Sequence, residues 1–202
     1  MYYELIILGT LLAGPAHGYL IAKILQNIGG PHGKLSSGRL YPLLAKLERE
    51  GLIAVEEDTA KTEEQGERRS AIPSRRYRLT SVGGERFRAL MLDTTSYLGD
   101  YLRIFAQKVA YFSFLPAEER LRLIDHYRDY CHNQAVHGTT RVAALAEGGD
   151  GSGLASAQRA DLLIVMRHAI ARWHHEVVWA DELRAQIGTI PDAGPIAGEE
   201  QR

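Results

Sequence analysis

The clearest periodic pattern in the chain lies in residues 35–52. Leucines recur there at helical spacing, at positions Leu40, Leu43, Leu44 and Leu47. Two serines precede this run and Gly51 ends it, as capping residues do at the two ends of a helix. The pattern predicts an amphipathic helix whose N-terminal end carries a cation, hydroxyls and unpaired backbone N–H groups. Such a helix could enter a DNA groove while its apolar face packs on a core, although an ordinary amphipathic helix fits the same pattern.

Pro42 lies inside this predicted helix and conflicts with it. A proline there donates no backbone hydrogen bond and its ring clashes with the carbonyl group of Gly38. We therefore expect either a kink at Pro42 or a helix whose regular part begins near it.

Two further helices are expected before residue 36. Residues 2–12 form a dense apolar run, which predicts a buried helix, and Gly14-Pro15 ends it. A second helix is expected over residues 16–28. Its core-facing positions would be Tyr19, Leu20, Ile24 and Leu25. We interpret His17-Gly18-Tyr19 as a helix start with Tyr19 in the core, not as a catalytic group. Together with the helix at 36–50, these elements make a helix-turn-helix.

Two strands are expected after that motif. Residues 52–55 are apolar and residues 75–80 alternate between polar and apolar, so they predict a hairpin, or wing, with a long polar tip between them. Four arginines of this hairpin could contact DNA phosphates or an adjacent minor groove, namely Arg68, Arg69, Arg75 and Arg76. A solvated charged loop would also explain them.

The second half of the chain predicts helices only. One long helix is expected over 81–114, a second begins at Pro116, and a third runs over about 155–187 beyond a glycine-rich connector. The last helix carries an apolar stripe that no sheet would cover, and we expect it to form a dimer interface through Leu162, Met166, Ile170, Trp173 and Val177. The fold is therefore expected to be mainly α. The expected parts are a winged helix-turn-helix at 1–80, a connecting helix at 81–114, a helical dimerisation domain at 115–188 and a disordered tail at 189–202.

Composition changes this picture little. The 202 residues are 45% hydrophobic and 24% charged, which is ordinary for a soluble globular protein. No apolar run reaches the roughly 18 residues that a membrane span needs. Glu4 stands where a signal peptide would be basic, so we expect no signal peptide and no membrane association. The single cysteine, Cys131, excludes an internal disulfide and fits a cytoplasmic location.

The charge is distributed unevenly between the two halves. Residues 1–112 carry 15 Lys+Arg and 12 Asp+Glu, a balance of +3, and residues 113–202 carry 9 and 13, a balance of −4. The net charge of −1 argues against indiscriminate binding to polyanions. The asymmetry would suit an N-terminal domain that contacts nucleic acid.

Several side chains of the second half could bind a small effector. Tyr97, Tyr101, Trp173, His174 and Trp179 could line a pocket for a planar aromatic or hydrophobic molecule, and a dimer core would use the same rings. His168 and His175 are two helical turns apart, about 10 Å, which is too far for one metal ion to bridge. No phosphate-binding loop, dinucleotide fingerprint or nucleophile elbow occurs in the sequence. We therefore predict no catalytic residues, no metal and no cofactor.

Five ordered segments within residues 5–90 resemble the PadR family of bacterial transcriptional regulators. They are LG at 8–9, GPAHGY at 14–19, SGRLYP at 37–42, LEREGLI at 47–53 and RYRLTSVG at 76–83. The resemblance implies a winged-helix protein that dimerises through a C-terminal helical domain and binds a pseudo-palindromic operator in double-stranded DNA. The segment from Ser37 to Lys46 would enter the major groove, and Tyr41 would contact a phosphate.

The candidate DNA contacts in this helix are therefore Ser36, Ser37, Arg39, Leu40, Tyr41 and Lys46. The most probable function from sequence is a homodimeric repressor that a small molecule releases from its operator by changing how the C-terminal helices pack. One alternative keeps the fold and makes a protein the controlling partner. Another is a helical interaction protein whose winged domain no longer binds DNA.

Overall fold

The structure is a computed structural model that describes residues 2–29, 37–56, 75–96, 98–147 and 155–187. In these ranges the chain forms seven α-helices and three short strands. The helices are α1 (Tyr2–Leu12), α2 (Gly18–Gly29), α3 (Ser37–Arg49), α4 (Ser81–Leu92), α5 (Tyr101–Val109), α6 (Ala117–Ala146) and α7 (Ser156–Gln186). The strands are β1 (Ala16–His17), β2 (Ile53–Glu56) and β3 (Arg76–Leu79).

The chain divides into two compact units, with the boundary between Phe114 and Leu115. The N-terminal unit contains α1 to α5 and the sheet, and the C-terminal unit contains α6 and α7. None of the helices in the described ranges is long and apolar enough to cross a membrane. The mainly helical fold with a small wing agrees with the prediction from the sequence.

The sheet of the N-terminal unit is antiparallel, with β3 in the centre of the order β1-β3-β2. Ile53 faces Leu79 and Glu56 faces Arg76 across β2 and β3, so the two predicted wing strands pair as expected. Strand β1 was not predicted. Its residue Ala16 pairs with Tyr77, some 60 positions later in the chain, and a two-residue strand carries no periodic signal of its own.

The core of the N-terminal unit collects one apolar face from each helix. Helix α1 is almost wholly buried, as its dense apolar run predicted, and α3 contributes Leu40, Leu44 and Leu47. Helix α3 continues from Ser37 through Pro42, so its regular part does not begin at the proline. It ends before Gly51, whose positive φ of +71° is the left-handed conformation that glycine adopts most easily.

The prediction that Tyr19 fills the core was wrong. Its side chain is 65% exposed, and Leu20 is exposed as well. The buried positions of α2 are instead Gly18, Ile21 and Leu25, which follow one another at helical spacing. The helix is therefore rotated relative to the predicted orientation, and Tyr19 lies on its outer face.

The single helix expected over 81–114 was also wrong, because the chain breaks after Leu92. The Asp93 carboxylate accepts hydrogen bonds from the backbone N–H groups of Thr95 at 2.9 Å and Ser96 at 3.0 Å. This local turn competes with the helical hydrogen bonds. The Lys108 ammonium group then donates to the Asp93 carbonyl oxygen, which joins α5 to the end of α4.

The C-terminal unit is an antiparallel pair of long helices, as predicted. Ion pairs join α6 to α7 at Asp125–Arg184 (2.8 Å) and Arg128–Asp181 (2.7 Å). Between them the buried Tyr127 hydroxyl donates to the Glu176 carboxylate at 2.7 Å. These contacts set the register of the two helices.

Candidate nucleic-acid interface

Helix α3 presents two chemically different faces. Leu40, Leu44 and Leu47 are buried, whereas the opposite side exposes Arg39, Lys46 and Arg49 together with Pro42 and Ala45. Lys46 makes only a loose ion pair with Glu50, at 3.6 Å, and both side chains remain exposed. Such pairs contribute little stability and exchange readily for other partners. The outer face of α3 therefore offers three cations to a polyanion.

Among the residues predicted to contact DNA from α3, Leu40 needs a correction. It is 1% exposed and belongs to the core, because helical geometry places it on the same face as Leu44 and Leu47. Arg49 was left out of the predicted contacts, although it is exposed beside Ala45 and its guanidinium bonds the carbonyl group of that residue at 3.4 Å. Ser36 and the Ser37 side chain lie outside the described residues.

Tyr41 connects α3 to the sheet and to α2. Its side chain is 48% exposed, and its ring lies 3.4 Å from the position that a Cβ atom on Gly18 would take. The buried Tyr77 of β3 lies 3.5 Å from the same position. Burial raises the pKa of Tyr77, and the hydrogen bond from Arg75 partly opposes that rise. Gly18 thus lets a tyrosine from α3 and another from β3 approach the start of α2 closely.

The start of α2 adds aromatic groups that the sequence analysis assigned to the interior. The rings of His17 and Tyr19 stack with centroids 5.7 Å apart and an interplanar angle of 17°. Lys23 is exposed one helical turn after Tyr19. Because Tyr41 packs against the adjoining Gly18, this surface continues from α3 to α2. The sequence contains His17-Gly18-Tyr19, but only the orientation of α2 shows that Tyr19 is exposed while Gly18 is buried.

The wing contributes two described arginines. Arg76 and Glu56 are opposite each other on the outer face of the sheet and form a loose ion pair of 3.8 Å. Arg75 is exposed at the start of β3. Arg68 and Arg69 lie outside the described residues, as does the rest of the wing tip.

The sequence of the N-terminal unit matches one family model. The model describes the "Transcriptional regulator PadR-like family", and the match covers residues 7–89, from α1 into α4. Residues 7–89 are similar to the PadR-like family of transcriptional regulators. The resemblance found in the sequence is thereby confirmed, and the family is one of regulators, not of enzymes.

The chain is also similar to solved structures, at low identity. Bacillus subtilis PadR in complex with operator DNA is 22% identical, with 91% of this chain and 98% of that chain covered and a TM-score of 0.37. The same protein in complex with p-coumaric acid is 19% identical, with coverages of 93% and 99% and a TM-score of 0.38. A PadR-like regulator from Bacillus cereus is 16% identical, with coverages of 93% and 98% and a TM-score of 0.33. No curated protein matches the chain. Because these TM-scores are low, the similarity to transcriptional regulators depends on the family model alone.

Three of the residues predicted to bind an effector have aromatic packing partners within their own units. Tyr101 is buried edge-on to Phe105 in the N-terminal unit, with ring centroids 6.2 Å apart. In the C-terminal unit, Trp173 packs on Tyr130 at 5.7 Å and Trp179 on Tyr127 at 6.0 Å. His174 is exposed on α7, and Tyr97 lies outside the described residues. In the described ranges no group of three His, Cys, Asp or Glu residues could hold a metal ion.

Proposed function

We propose that this protein is a homodimeric repressor that binds a pseudo-palindromic operator and is released from it by a small molecule. The observation that carries the DNA-binding role is the division of α3 into a buried leucine face and an exposed cationic face. Helix α3 lies in the region whose sequence matches the family model of transcriptional regulators. In winged-helix proteins a helix so held reads the major groove, while the wing contacts the adjoining backbone.

The proposed contacts fall into two classes. Arg39, Lys46 and Arg49 on the outer face of α3 can reach base edges or phosphates, because the guanidinium groups of arginine and the ammonium group of lysine can donate to both kinds of acceptor. A second set positions the protein on phosphates: Tyr41, Tyr19 and His17 around Gly18, with Arg75 and Arg76 of the wing. We retain Ser36, Ser37, Arg68 and Arg69 as further proposed contacts on the basis of the sequence.

The proposed dimer uses the outer face of α7. Two residues predicted for the interface have intrachain partners instead: Trp173 packs edge to face with Tyr130, and Ile170 lies 2.8 Å from the position of a Cβ atom on Gly138 of α6. The opposite face of α7 exposes Ile164 (66%) and Val178 (55%).

These two residues belong to one exposed stripe along the outer face of α7. Ile164, His168, Ala171, His175 and Val178 follow one another at alternating spacings of four and three residues, the pattern of a helix–helix seam. Large exposed apolar side chains in such a seam favour a second copy of the chain as the partner. Leu162 is exposed on α7 as well, while Met166 and Val177 are half-buried.

Dimerisation would set the spacing of the two α3 helices. They must lie about 34 Å apart to enter successive major grooves on one side of DNA. A small molecule that changes the packing of α6 on α7 would alter that spacing and release the operator. Trp173, His174 and Trp179 of α7 remain proposed effector contacts. Tyr97 and Tyr101 are retained as candidates on the basis of the sequence alone. Since the operator is chromosomal, we propose that the protein acts in the cytoplasm.

Binding to the DNA upstream of the protein's own gene tests this proposal, with a scrambled duplex as control and a series of salt concentrations. If about eight phosphates are neutralised, the logarithm of the association constant falls with the logarithm of salt concentration at a slope of about −7. Sedimentation should give twice the 22.5 kDa mass of one chain. Equal, weak binding to both duplexes would instead support a helical interaction protein. Specific binding that no metabolite reverses would support control by a protein partner.

A further inference from the structure

A cavity of about 310 Å³ lies in the N-terminal unit, between the end of α1 and the base of the wing. One part of its lining is apolar and consists of Leu11, Leu12, Pro15 and Leu79. The other part contains two side chains of opposite charge, Glu56 and Arg78. The cavity lies outside the proposed effector residues of the C-terminal unit, and its volume suits a ligand of modest size.

The two charged side chains are on the same face of adjacent strands but are not directly opposite each other. Glu56 faces Arg76 in the register, and Arg78 faces Ala54, whose side chain has no polar group. Glu56 and Arg78 are therefore diagonal neighbours, whose Cβ atoms are typically about 7–8 Å apart. No described residue forms a hydrogen bond or an ion pair with Arg78, and its side chain is exposed. This diagonal placement leaves room between the two side chains for a molecule that has both a positively and a negatively charged group.

We propose that this cavity binds a free apolar α-amino acid of about the size of leucine. The Arg78 guanidinium binds the α-carboxylate, and the Glu56 carboxylate binds the α-ammonium group. The apolar side chain packs on Leu11, Leu12 and Pro15. This ligand class satisfies both charges and the apolar wall together, whereas a simple fatty acid leaves Glu56 beside its carboxylate.

A ligand bound in the cavity would change the ion pairing of the wing through Glu56. Its consequence for DNA binding rests on the proposed function. Glu56 pairs loosely with Arg76, at 3.8 Å. An ammonium group bound to Glu56 competes for that carboxylate and frees Arg76 for a DNA phosphate. The amino acid therefore tightens operator binding, and by linkage operator DNA tightens amino-acid binding by the same factor.

Calorimetric titration of the full chain, without DNA, tests the site. The probes are L-leucine, 4-methylpentanoate (which lacks the amine), 3-methylbutylamine (which lacks the carboxylate) and glycine (which lacks the apolar side chain). We expect leucine to bind at least tenfold more tightly than each of the other three. Absence of heat at about 10 mM leucine, where a site with a Kd of about 1 mM would be saturated, would overturn the proposal.

Two variants assign the charges. Arg78→Gln should weaken leucine and 4-methylpentanoate but leave 3-methylbutylamine unchanged, and Glu56→Gln should weaken leucine and the amine but not the carboxylate. The matched control is Arg141→Gln, an exposed arginine on α6. If neither Arg78→Gln nor Glu56→Gln weakens leucine binding, the proposed site is also wrong.

Titration of the DNA complex separates the site from the proposed function. Leucine should raise the affinity for the upstream duplex in the wild type, and Arg76→Gln should abolish that increase. If leucine binds but the affinity for DNA does not change, the coupling through Arg76 is wrong and the site stands. If the protein binds leucine but no DNA, the proposed function fails and the amino-acid site still stands.

Discussion

The Thr80 hydroxyl donates a hydrogen bond to the carbonyl oxygen of Gly51 at 2.6 Å. The Thr80 hydroxyl oxygen also accepts a hydrogen bond from the backbone N–H of Gly83 at 3.0 Å, so Thr80 caps α4. Gly51 is the residue at which the chain leaves α3. The Thr80 side chain therefore joins the end of α3, the proposed DNA-reading helix, to the start of α4, which follows the wing.

Replacement of Thr80 by valine should lower the free energy of unfolding by about 1–2 kcal/mol, the usual range for loss of an N-terminal cap. Valine preserves the volume and removes all the hydrogen bonds of the hydroxyl group, including a further one that it donates to the carbonyl oxygen of Leu52 at 3.0 Å. Thr80→Ser is the matched control, since serine keeps the hydroxyl group. Urea unfolding measures both variants, and equal stability of Thr80→Val and the wild type would show that these bonds contribute nothing.

Gly83 should tolerate no larger side chain. A Cβ atom at this position would lie 2.0 Å from the carbonyl oxygen of Leu52, which is backbone and cannot rotate away. Gly83→Ala should therefore destabilise the N-terminal unit by about 3 kcal/mol, as overpacking of a close contact does. Gly99→Ala serves as the control, because no heavy atom lies within 4 Å of its Cβ position. Equal melting temperatures for the two variants would contradict the close contact of α4 with Leu52.

Lys108 should make stability depend on pH in alkaline solution. Burial lowers the pKa of its ammonium group from 10.5 to about 8, partly opposed by the nearby Asp93 carboxylate. The unfolded chain therefore binds more protons than the folded chain between these two values, and the free energy of unfolding rises with pH across that window. The rise is about 3 kcal/mol at most, from about 1.4 kcal/mol for each pKa unit.

The variant Lys108→Met should lose this rise, because methionine does not titrate. Lys23→Met, at an exposed position on α2, should keep it. Urea unfolding at several pH values between about 7.5 and 10.5 checks the difference. Identical pH profiles for the wild type and Lys108→Met would mean that the folded chain leaves Lys108 hydrated.

Much of this fold could be predicted from local patterns. The leucine repeat of α3 correctly indicated its buried face, and the long apolar stripes correctly indicated α6 and α7. The errors arose where distant contacts decide the outcome. Strand β1 exists only because Ala16 pairs with Tyr77, and Tyr19 is exposed because packing rotates α2 about its axis.

The site was also only partly predictable, and here local interactions contributed to the errors. Arg39, Tyr41 and Lys46 are exposed as expected, but Leu40 belongs to the core. The break at Asp93 depends on a carboxylate that bonds its own following backbone, which no apolar periodicity reports. The stacked His17–Tyr19 pair could not be assigned to the surface from the sequence, because that assignment depends on the orientation of α2.

The Cys131 thiol should react slowly while the C-terminal unit is folded. The side chain is fully buried, and desolvation raises the pKa of its thiol to about 11. Because the thiolate is the nucleophile, alkylation by iodoacetamide at about pH 8 should be at least 100-fold slower than in denaturant. The same reagent in urea is the control. Comparable rates in the two solutions would show that α6 and α7 separate readily.

The salt dependence of DNA binding by an Arg39→Ala, Lys46→Ala variant tests the role of α3 most directly. If both cations contact phosphates, the slope of log affinity against log salt becomes shallower by about 2 than in the wild type. A variant with Arg122→Ala and Arg141→Ala, which removes two exposed arginines of α6, should keep the wild-type slope. An unchanged slope and affinity for the α3 variant would contradict the assignment of this helix to DNA.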